Sequence, residues 1–236
     1  MLESDHRLVY RNLMRMGLFL TVSEPWILWS WLSTHVQLFV DATVQHIELT
    51  AIAVVVAFAI SLPLGIAAQR WKILRSPTFT IFGIFYTIPS IALFVLLIPF
   101  TGLTVLTAEI GLVGYAVLVI VRNVVVGLDS VPSDVIDAAN GMGYRPLKRL
   151  IQVELPLALP AIFAGLRIAT VTTIGLVTIT AVIGLGGLGQ LILEGLVDGF
   201  RTPLLVASVL SVLLALVADL SLAGAQRLAV PWSREP

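Results

Sequence analysis

The sequence contains no cysteine, only three histidines and few charged residues. Its 14 basic and 14 acidic residues make up 12% of the 236 positions and cancel to a net charge of zero. The lack of cysteine excludes disulfide bonds, iron–sulfur clusters, thiolate zinc sites and cysteine nucleophiles. A chain without net charge creates no overall field that would attract nucleic acid. His6, His35 and His46 do not have the spacing of metal ligands, so a histidine-based metal site is not expected.

Hydrophobic residues, in contrast, make up 58% of the chain, and the mean hydropathy is +1.01. A soluble domain has about 45–50% apolar and about 25% charged residues. Half that charge leaves too little polar surface to solvate a globule of this length. The same composition excludes a disordered, collagen-like or coiled-coil protein. The chain is therefore predicted to be an all-α integral membrane protein.

Long uncharged runs predict five core transmembrane helices, since a spanning helix needs about 20 mostly apolar residues. The run from 76 to 108 is too long for one span, and Pro99-Phe100-Thr101-Gly102 predicts the turn within it. The predicted spans lie near 50–69, 78–98, 108–127, 160–181 and 203–224.

A sixth apolar segment, Met16–Leu32, is interrupted by Glu24-Pro25. A charge at the bilayer centre costs at least about 2.5–3.5 kcal/mol on insertion scales. A true span is our preferred interpretation, and a tryptophan-rich helix lying in the membrane interface is the alternative. A cleaved signal peptide is disfavoured because no small-x-small cleavage site follows the apolar stretch.

Lysine and arginine predict the orientation, because they concentrate on the cytoplasmic side of membrane proteins. With six spans and both termini inside, 13 of the 14 basic residues face the cytoplasm, and only Arg201 lies outside. Residues 33–48, 99–108 and 184–202 then face outward. Residues 70–77 and 128–158 and the C-terminus face inward.

The inner loop from Asp129 to Pro160 is long for a connection and has a pattern of its own. Pro132 stands where the first turn of a helix tolerates proline, and Gly143 can adopt the left-handed conformation that closes a helix. Pro146 opens a second short helix, which Pro156 is predicted to end. We expect a helix, a glycine turn and another helix on the cytoplasmic face.

The same loop resembles the EAA motif of permease subunits of bacterial ABC importers. That motif is Glu-Ala-Ala, three residues, Gly, nine residues, then Ile, any residue and Leu-Pro. The sequence has Asp137-Ala138-Ala139, Gly143 and Val153-Glu154-Leu155-Pro156 at these spacings, with aspartate for glutamate and valine for isoleucine. A membrane-tethered DNA-binding helix-turn-helix would need more positive charge.

The resemblance implies the permease fold of type I ABC importers and a coupling loop that docks in a groove of a cytoplasmic ATPase. Small side chains at the two alanines would let the partner's backbone approach closely. The residues implied in coupling are Asp137, Ala138, Ala139, Gly143, Val153, Leu155 and Pro156. The domains implied are an N-terminal tail with the candidate extra span (1–34), the transmembrane domain (35–226) with its coupling loop (129–158), and a cytoplasmic tail (227–236).

The resemblance also implies a division of labour between several chains. Neither lysine, Lys72 or Lys148, follows a glycine, so the sequence contains no phosphate loop. ATP and Mg²⁺ would bind to a separate ATPase dimer, and this chain is expected to be non-catalytic, without cofactor or metal. The other expected partners are a second permease (a copy or a paralogue), an extracytoplasmic solute-binding protein and membrane lipid, with no nucleic acid.

Four further segments resemble the compatible-solute branch of these importers, which takes up glycine betaine, choline, carnitine or proline betaine. They are Thr43–Thr50, Leu62–Gly65, Tyr86–Ser90 and Ile183–Gly189. The resemblance implies osmoprotectant uptake by ATP-driven alternating access across the bacterial inner membrane. An importer of another small solute, such as an amino acid, remains the alternative.

Pro89 is expected to kink the second core span, because proline removes a backbone donor. Such a break can line a solute path, and Tyr86 offers an aromatic face to a quaternary ammonium group. Tyr86, Pro89 and Ser90 are therefore candidate path residues. Packing against lipid or against other helices is the alternative role for each.

Residues 184–189 match G-x-G-x-x-G, but no acidic residue follows at about 20 positions as a dinucleotide site requires. An outer turn leading into a short re-entrant or interfacial helix is the preferred interpretation.

Arg122 and Arg167 are expected near the inner ends of their spans, with Asp219 paired to one of them.

His35, His46 and Glu48 are expected on the outer side near the membrane, where they either orient the first core helix or meet the binding protein. Two other classes of protein fit less well. An ion-coupled secondary transporter should have midplane carboxylates and an inverted repeat, and an intramembrane enzyme should have a nucleophile with a nearby base. The spans as predicted contain neither an embedded histidine nor a deep carboxylate.

Overall fold

A computed structural model describes residues 25–233, and most of this part of the chain is helical, with no strand in it. The predicted span Met16–Leu32 falls largely outside the described residues. Its described end, from Pro25 to Leu28, is not helical and leads into a short helix, α1.

The helices follow one another with short connections. In chain order they are α1 (Trp29–Thr34), α2 (Val36–Arg70), α3 (Lys72–Thr87), α4 (Ser90–Thr101), α5 (Val105–Asp129), α6 (Ser133–Gly141), α7 (Pro146–Arg149), α8 (Leu155–Ile179), α9 (Leu188–Asp198) and α10 (Arg201–Ala229). A π-helical turn, Leu150–Glu154, joins α7 to α8, and a 3₁₀ turn, Thr180–Ile183, follows α8.

Four helical segments are long and apolar enough to cross a bilayer: α2, α5, the run from Pro146 to Ile183, and α10. Helices α3 and α4 are long and apolar enough only when they are taken together, and their axes are bent by 97° at the intervening break. Four of the five predicted core spans are thus confirmed within residues 25–233, and α3 and α4 provide a fifth if they are counted as one broken span. The second predicted span, 78–98, is wrong as one kinked helix, because its two halves are separate.

Pro156 does not end the second helix of the inner loop, contrary to the sequence prediction. It lies in the first turn of α8, where a missing N–H costs little. The π-helical turn before it keeps the chain helical across the position. The segment from Pro146 to Ile183 is consequently one run of 38 residues, from the inner loop to the outer turn.

Helix α5 forms the centre of the bundle. Its Ile120, Val121 and Val124 are fully buried and belong to one apolar cluster with Ala57 of α2 and Ile162 of α8. A second cluster joins α2, α4, α5 and α8, and a third joins α2 to α9 and α10. Large hydrophobic side chains remain exposed along α2 and α10, among them Val55 and Val212.

Helices α5 and α8 approach closely where Gly165 faces Asn123. A Cβ atom at Gly165 would overlap the Cβ of Asn123, whereas one at Gly175 on the same helix would meet nothing within 4 Å. The approach therefore depends on glycine at the first position only.

We expect Gly165→Ala to destabilise the protein, because the added methyl group must push α5 and α8 apart. Overpacking of this kind costs about 1–3 kcal/mol. Gly175→Ala is the matched control and should be neutral or slightly stabilising, because alanine favours a helix over glycine. Thermal unfolding of both variants in the same detergent measures the difference. Equal unfolding midpoints would contradict the assigned packing.

Candidate functional site

The inner loop folds as a helix, a glycine turn and a second helix, as predicted. Helix α6 begins directly after Pro132 and is followed by Gly143 with φ +78°, in the left-handed region. The N–H of Gly143 donates to the Asn140 carbonyl at 2.9 Å, and the N–H of Tyr144 donates to the Ala139 carbonyl at 3.1 Å. This glycine-based ending satisfies the last carbonyl groups of α6 and sets the direction of α7.

The two alanines of the motif face different surroundings. Ala138 is exposed beside the exposed Asp137, but Ala139 is only 1% exposed. Consecutive residues on an α-helix point about 100° apart, because there are about 3.6 residues per turn. The expectation that both alanines contact a partner is therefore wrong for Ala139, which packs within this chain. Val153, Leu155 and Pro156 are half-buried at the start of α8.

Two apolar side chains project from the loop on either side of the glycine turn. Met142 is 70% exposed and Leu147 is 68% exposed. Sequence reasoning missed them, because the spacing of the loop's apolar residues does not show which of them are exposed. Exposed apolar side chains clustered in this way favour a protein contact.

A buried ion pair ties the two parts of the loop together. Arg149 Nε donates to Glu154 Oε1 at 2.6 Å, and Arg149 Nη1 donates to Asn140 Oδ1 at 2.6 Å. The two charged side chains are 16% and 4% exposed. The pair was not predicted, because residues five apart do not share a face of a regular α-helix. The network joins the end of α6 to the π-helical turn that starts the long run into the membrane.

The break between α3 and α4 is held by a side chain that sequence reasoning also missed. The hydroxyl of Tyr115 on α5 donates to the carbonyl of Ile88. Ile88 lies in the break and belongs to neither helix. The Tyr86 and Tyr115 rings meet edge to face, with centroids 5.5 Å apart. Tyr86 and Pro89 are exposed and Ser90 is half-buried, so the three candidate path residues lie together at this break.

The G-x-G-x-x-G segment forms a turn followed by the short helix α9, as predicted. The N–H of Gly187 donates to Oε1 of Gln45 at 3.0 Å, so the turn packs against α2. His46 is fully buried nearby, and its Nε2 donates to the Ile174 carbonyl at 3.0 Å. The side chain of His46 is therefore embedded between α2 and α8 and is not available to a binding protein. Within residues 25–233, no three His, Asp or Glu side chains form a metal-binding group.

Asp219 pairs with Arg167, one of the two predicted partners. Arg167 Nε and Nη2 donate to the two carboxylate oxygens at 2.8 and 2.7 Å. Arg122 instead lies 5.8 Å from the centre of the Phe79 ring. Arg167 is the thirteenth of the 25 residues of α8, so its expected place near the inner end is wrong, and Asp219 is a deep carboxylate that the sequence-based reading did not count.

The chain matches the family described as binding-protein-dependent transport system inner membrane component, over residues 59–228. It is 44% identical to the osmoprotectant import permease protein OsmW of Salmonella typhimurium, covering 75% of this chain and 85% of OsmW. It is 33% identical to the glycine betaine/carnitine/choline transport system permease protein OpuCB of Bacillus subtilis, covering 80% of this chain and 87% of OpuCB.

The fold is similar to a chain in solved inward-facing structures of the MetNI methionine ABC transporter. The TM-score is 0.72 at 27% sequence identity, and the match covers 83% of this chain and 98% of the other.

We expect Glu154→Ala to loosen the inner loop, because it leaves Arg149 buried without its carboxylate. Breaking a buried pair costs about 3 kcal/mol or more, roughly 100-fold in the rate of amide exchange through local opening. Asp129→Ala is the control, since the Arg75–Asp129 pair is 40% and 37% exposed and is worth about 0–1 kcal/mol. Hydrogen exchange of residues 133–154 measures both variants. Equal protection in the two would contradict a role for the buried pair.

Proposed function

The chain belongs to the family of binding-protein-dependent transport system inner membrane components, and on this premise we propose that it is the permease subunit of an ABC importer of osmoprotectants. The proposed solutes are quaternary ammonium compounds such as glycine betaine, choline and carnitine. The relatives at 44% and 33% identity, named as permeases for osmoprotectants and for these three compounds, support this assignment.

The observation that carries the proposal is the exposed inner loop and its direct continuation into the membrane. The loop presents Asp137, Ala138, Met142 and Leu147 to the surroundings, and its second helix runs without interruption from Pro146 to Ile183. Thirty-eight residues of helix span about 57 Å. A displacement of the loop is therefore passed along one rigid element to the outer turn.

In the proposed mechanism, ATP-driven closure of two ATPase subunits moves the coupling loops and changes the permease from inward-open to outward-open. Arg149 bonds both to Asn140 of α6 and to Glu154 of the π-helical turn, so the loop moves as one body. ATP and Mg²⁺ bind to the ATPase, and this subunit is non-catalytic. The loop and the C-terminus lie on the cytoplasmic side of the inner membrane, as the distribution of lysine and arginine favours.

The proposed assembly contains two permeases, an ATPase dimer and an extracytoplasmic solute-binding protein. The apolar surface left exposed along α10 in the single chain supports a second permease, either a copy or a paralogue. The solute is selected by the binding protein, as in the importers that the loop motif resembles.

Uptake of labelled solutes by the assembled importer in membrane vesicles tests the solute class. We expect ATP-dependent uptake of glycine betaine, choline or carnitine. The structural similarity to a methionine transporter favours an amino acid as the second candidate. Uptake of methionine with none of the three quaternary ammonium compounds would replace the first assignment by the second.

We expect Ala138→Cys, but not Ala139→Cys, to capture an ATPase through a short thiol-to-amine cross-linker in native membranes. The chain has no other cysteine, Ala138 is exposed, and Ala139 is buried. Mass spectrometry of the cross-linked product identifies the captured chain. A cysteine at 138 that reacts with a small hydrophilic thiol reagent yet captures no ATPase would refute the coupling role.

We expect Leu147→Ala to weaken ATPase binding at least about tenfold, as truncation of an apolar anchor in an interface commonly does. Leu103→Ala is the matched control, because Leu103 is 65% exposed but lies between α4 and α5, in a segment predicted to face outward. Affinity is measured by titrating purified ATPase onto the permease in nanodiscs. Equal affinities would place the contact elsewhere on the cytoplasmic face.

A further inference from the structure

Arg167 and Asp219 form a charge pair deep in two apolar helices. Arg167 is 12 residues from either end of α8, and Asp219 is ten residues from the inner end of α10. At 1.5 Å per residue these separations are about 18 Å and about 15 Å. Neither side chain is long enough to bring its charge to an end of its helix, so the pair lies well inside two helices that are long and apolar enough to cross a bilayer.

The pair is not enclosed by the rest of the chain. The two side chains are 34% and 30% exposed, in contrast to the buried pair of the inner loop. Beside them is a groove of about 520 Å³, which falls within the usual size of small-molecule pockets. It is lined by the pair and by Ala164, Ile168, Val171 and Thr172.

Charged side chains at this depth face a bundle interior or a water-filled cavity rather than hydrocarbon. The exposed part of the pair therefore has water or another polar surface against it in the membrane. All four other lining residues come from α8, the helix that continues to the inner loop.

We propose that the Arg167–Asp219 groove is a water-filled, weak binding site for zwitterionic solutes on the translocation path. The guanidinium group of Arg167 receives the solute's carboxylate, and the carboxylate of Asp219 faces its quaternary ammonium group. The two groups already neutralise each other through two hydrogen bonds. The site therefore holds a solute loosely, as a path must if the solute is to leave it. This inference rests on the proposed function.

Thiol accessibility tests whether the groove contains water, using the complete importer in nanodiscs. Val171→Cys places a single thiol at the groove, and Val55→Cys is the matched control, an exposed valine in the middle of α2 that does not line it. The probe is a methanethiosulfonate that carries a trimethylammonium group. We expect it to label position 171 at least tenfold faster than position 55. Equal, slow labelling at both positions would overturn the proposal.

Protection by solute tests binding. Glycine betaine at saturating concentration is expected to slow labelling of Val171→Cys at least threefold, while sucrose at the same osmolarity leaves the rate unchanged. Labelling that glycine betaine does not slow would overturn the binding site. A spontaneous disulfide between two Val171→Cys chains would show that a second permease covers the groove, and would also overturn it.

Replacement of the pair by apolar residues separates a path role from a structural one. Arg167→Met combined with Asp219→Leu keeps similar volume, and a buried ion pair can often be replaced in this way without loss of folding. We expect this variant to assemble with the ATPase but to take up glycine betaine at least tenfold more slowly. Uptake at the unsubstituted rate would overturn the proposal and make the pair structural. If the variant does not assemble, the labelling of Val171→Cys decides between a path role and a structural role.

The failure of this inference can be distinguished from failure of the proposed function. An unsubstituted importer that takes up glycine betaine, with a groove that is unreactive or unprotected, refutes the groove alone. An unsubstituted chain that neither captures an ATPase nor transports any of the proposed solutes refutes the proposed function itself.

Discussion

Inside a bilayer, each polar group of the chain must find a partner within the protein or in a water-filled space, because hydrocarbon offers none. Three irregular features of this chain meet that requirement in different ways. Tyr115 donates to the Ile88 carbonyl at the break between α3 and α4. A π-helical turn carries the chain past Pro156. Arg167 and Asp219 neutralise each other within two apolar helices. The three features are thus a break between helices, a change of helix type and a charge pair between two apolar helices.

The run from Pro146 to Ile183 connects these features mechanically. It begins in the inner loop, where Arg149 bonds to Glu154 and to Asn140 of α6. It then passes the groove at Arg167. Further on, the Ile174 carbonyl accepts the hydrogen bond from His46, and the run ends at the glycine turn that packs on α2. One element thus contacts the proposed ATPase surface, the proposed path and the outer turn. Alternating access requires motions at these three places to be coupled, and a continuous helix supplies the coupling.

Sequence reasoning succeeded where the signal was local. Apolar runs predicted the membrane-spanning segments, and the spacing of proline and glycine predicted the helix–turn–helix form of the loop. It failed where burial depended on neighbours distant in the chain. Ala138 and Ala139 look equivalent in the motif, yet the rotation of α6 exposes one and buries the other. His46 looked external from the apolar runs, yet it is buried beside Ile174, 128 residues away. Arg167 looked terminal only because the predicted span began at 160.

The sequence by itself determined that the chain crosses a membrane, where its apolar segments lie, and which loop carries the motif of an importer permease. Composition and periodicity suffice for these, because transfer of apolar runs into a bilayer is a local property of each segment. Tertiary structure decided the 97° break, the pairing of Arg149 with Glu154 and of Arg167 with Asp219, and the groove beside the second pair. Each of these depends on side chains that meet only when helices pack or leave their regular form, and residue spacing does not specify those approaches.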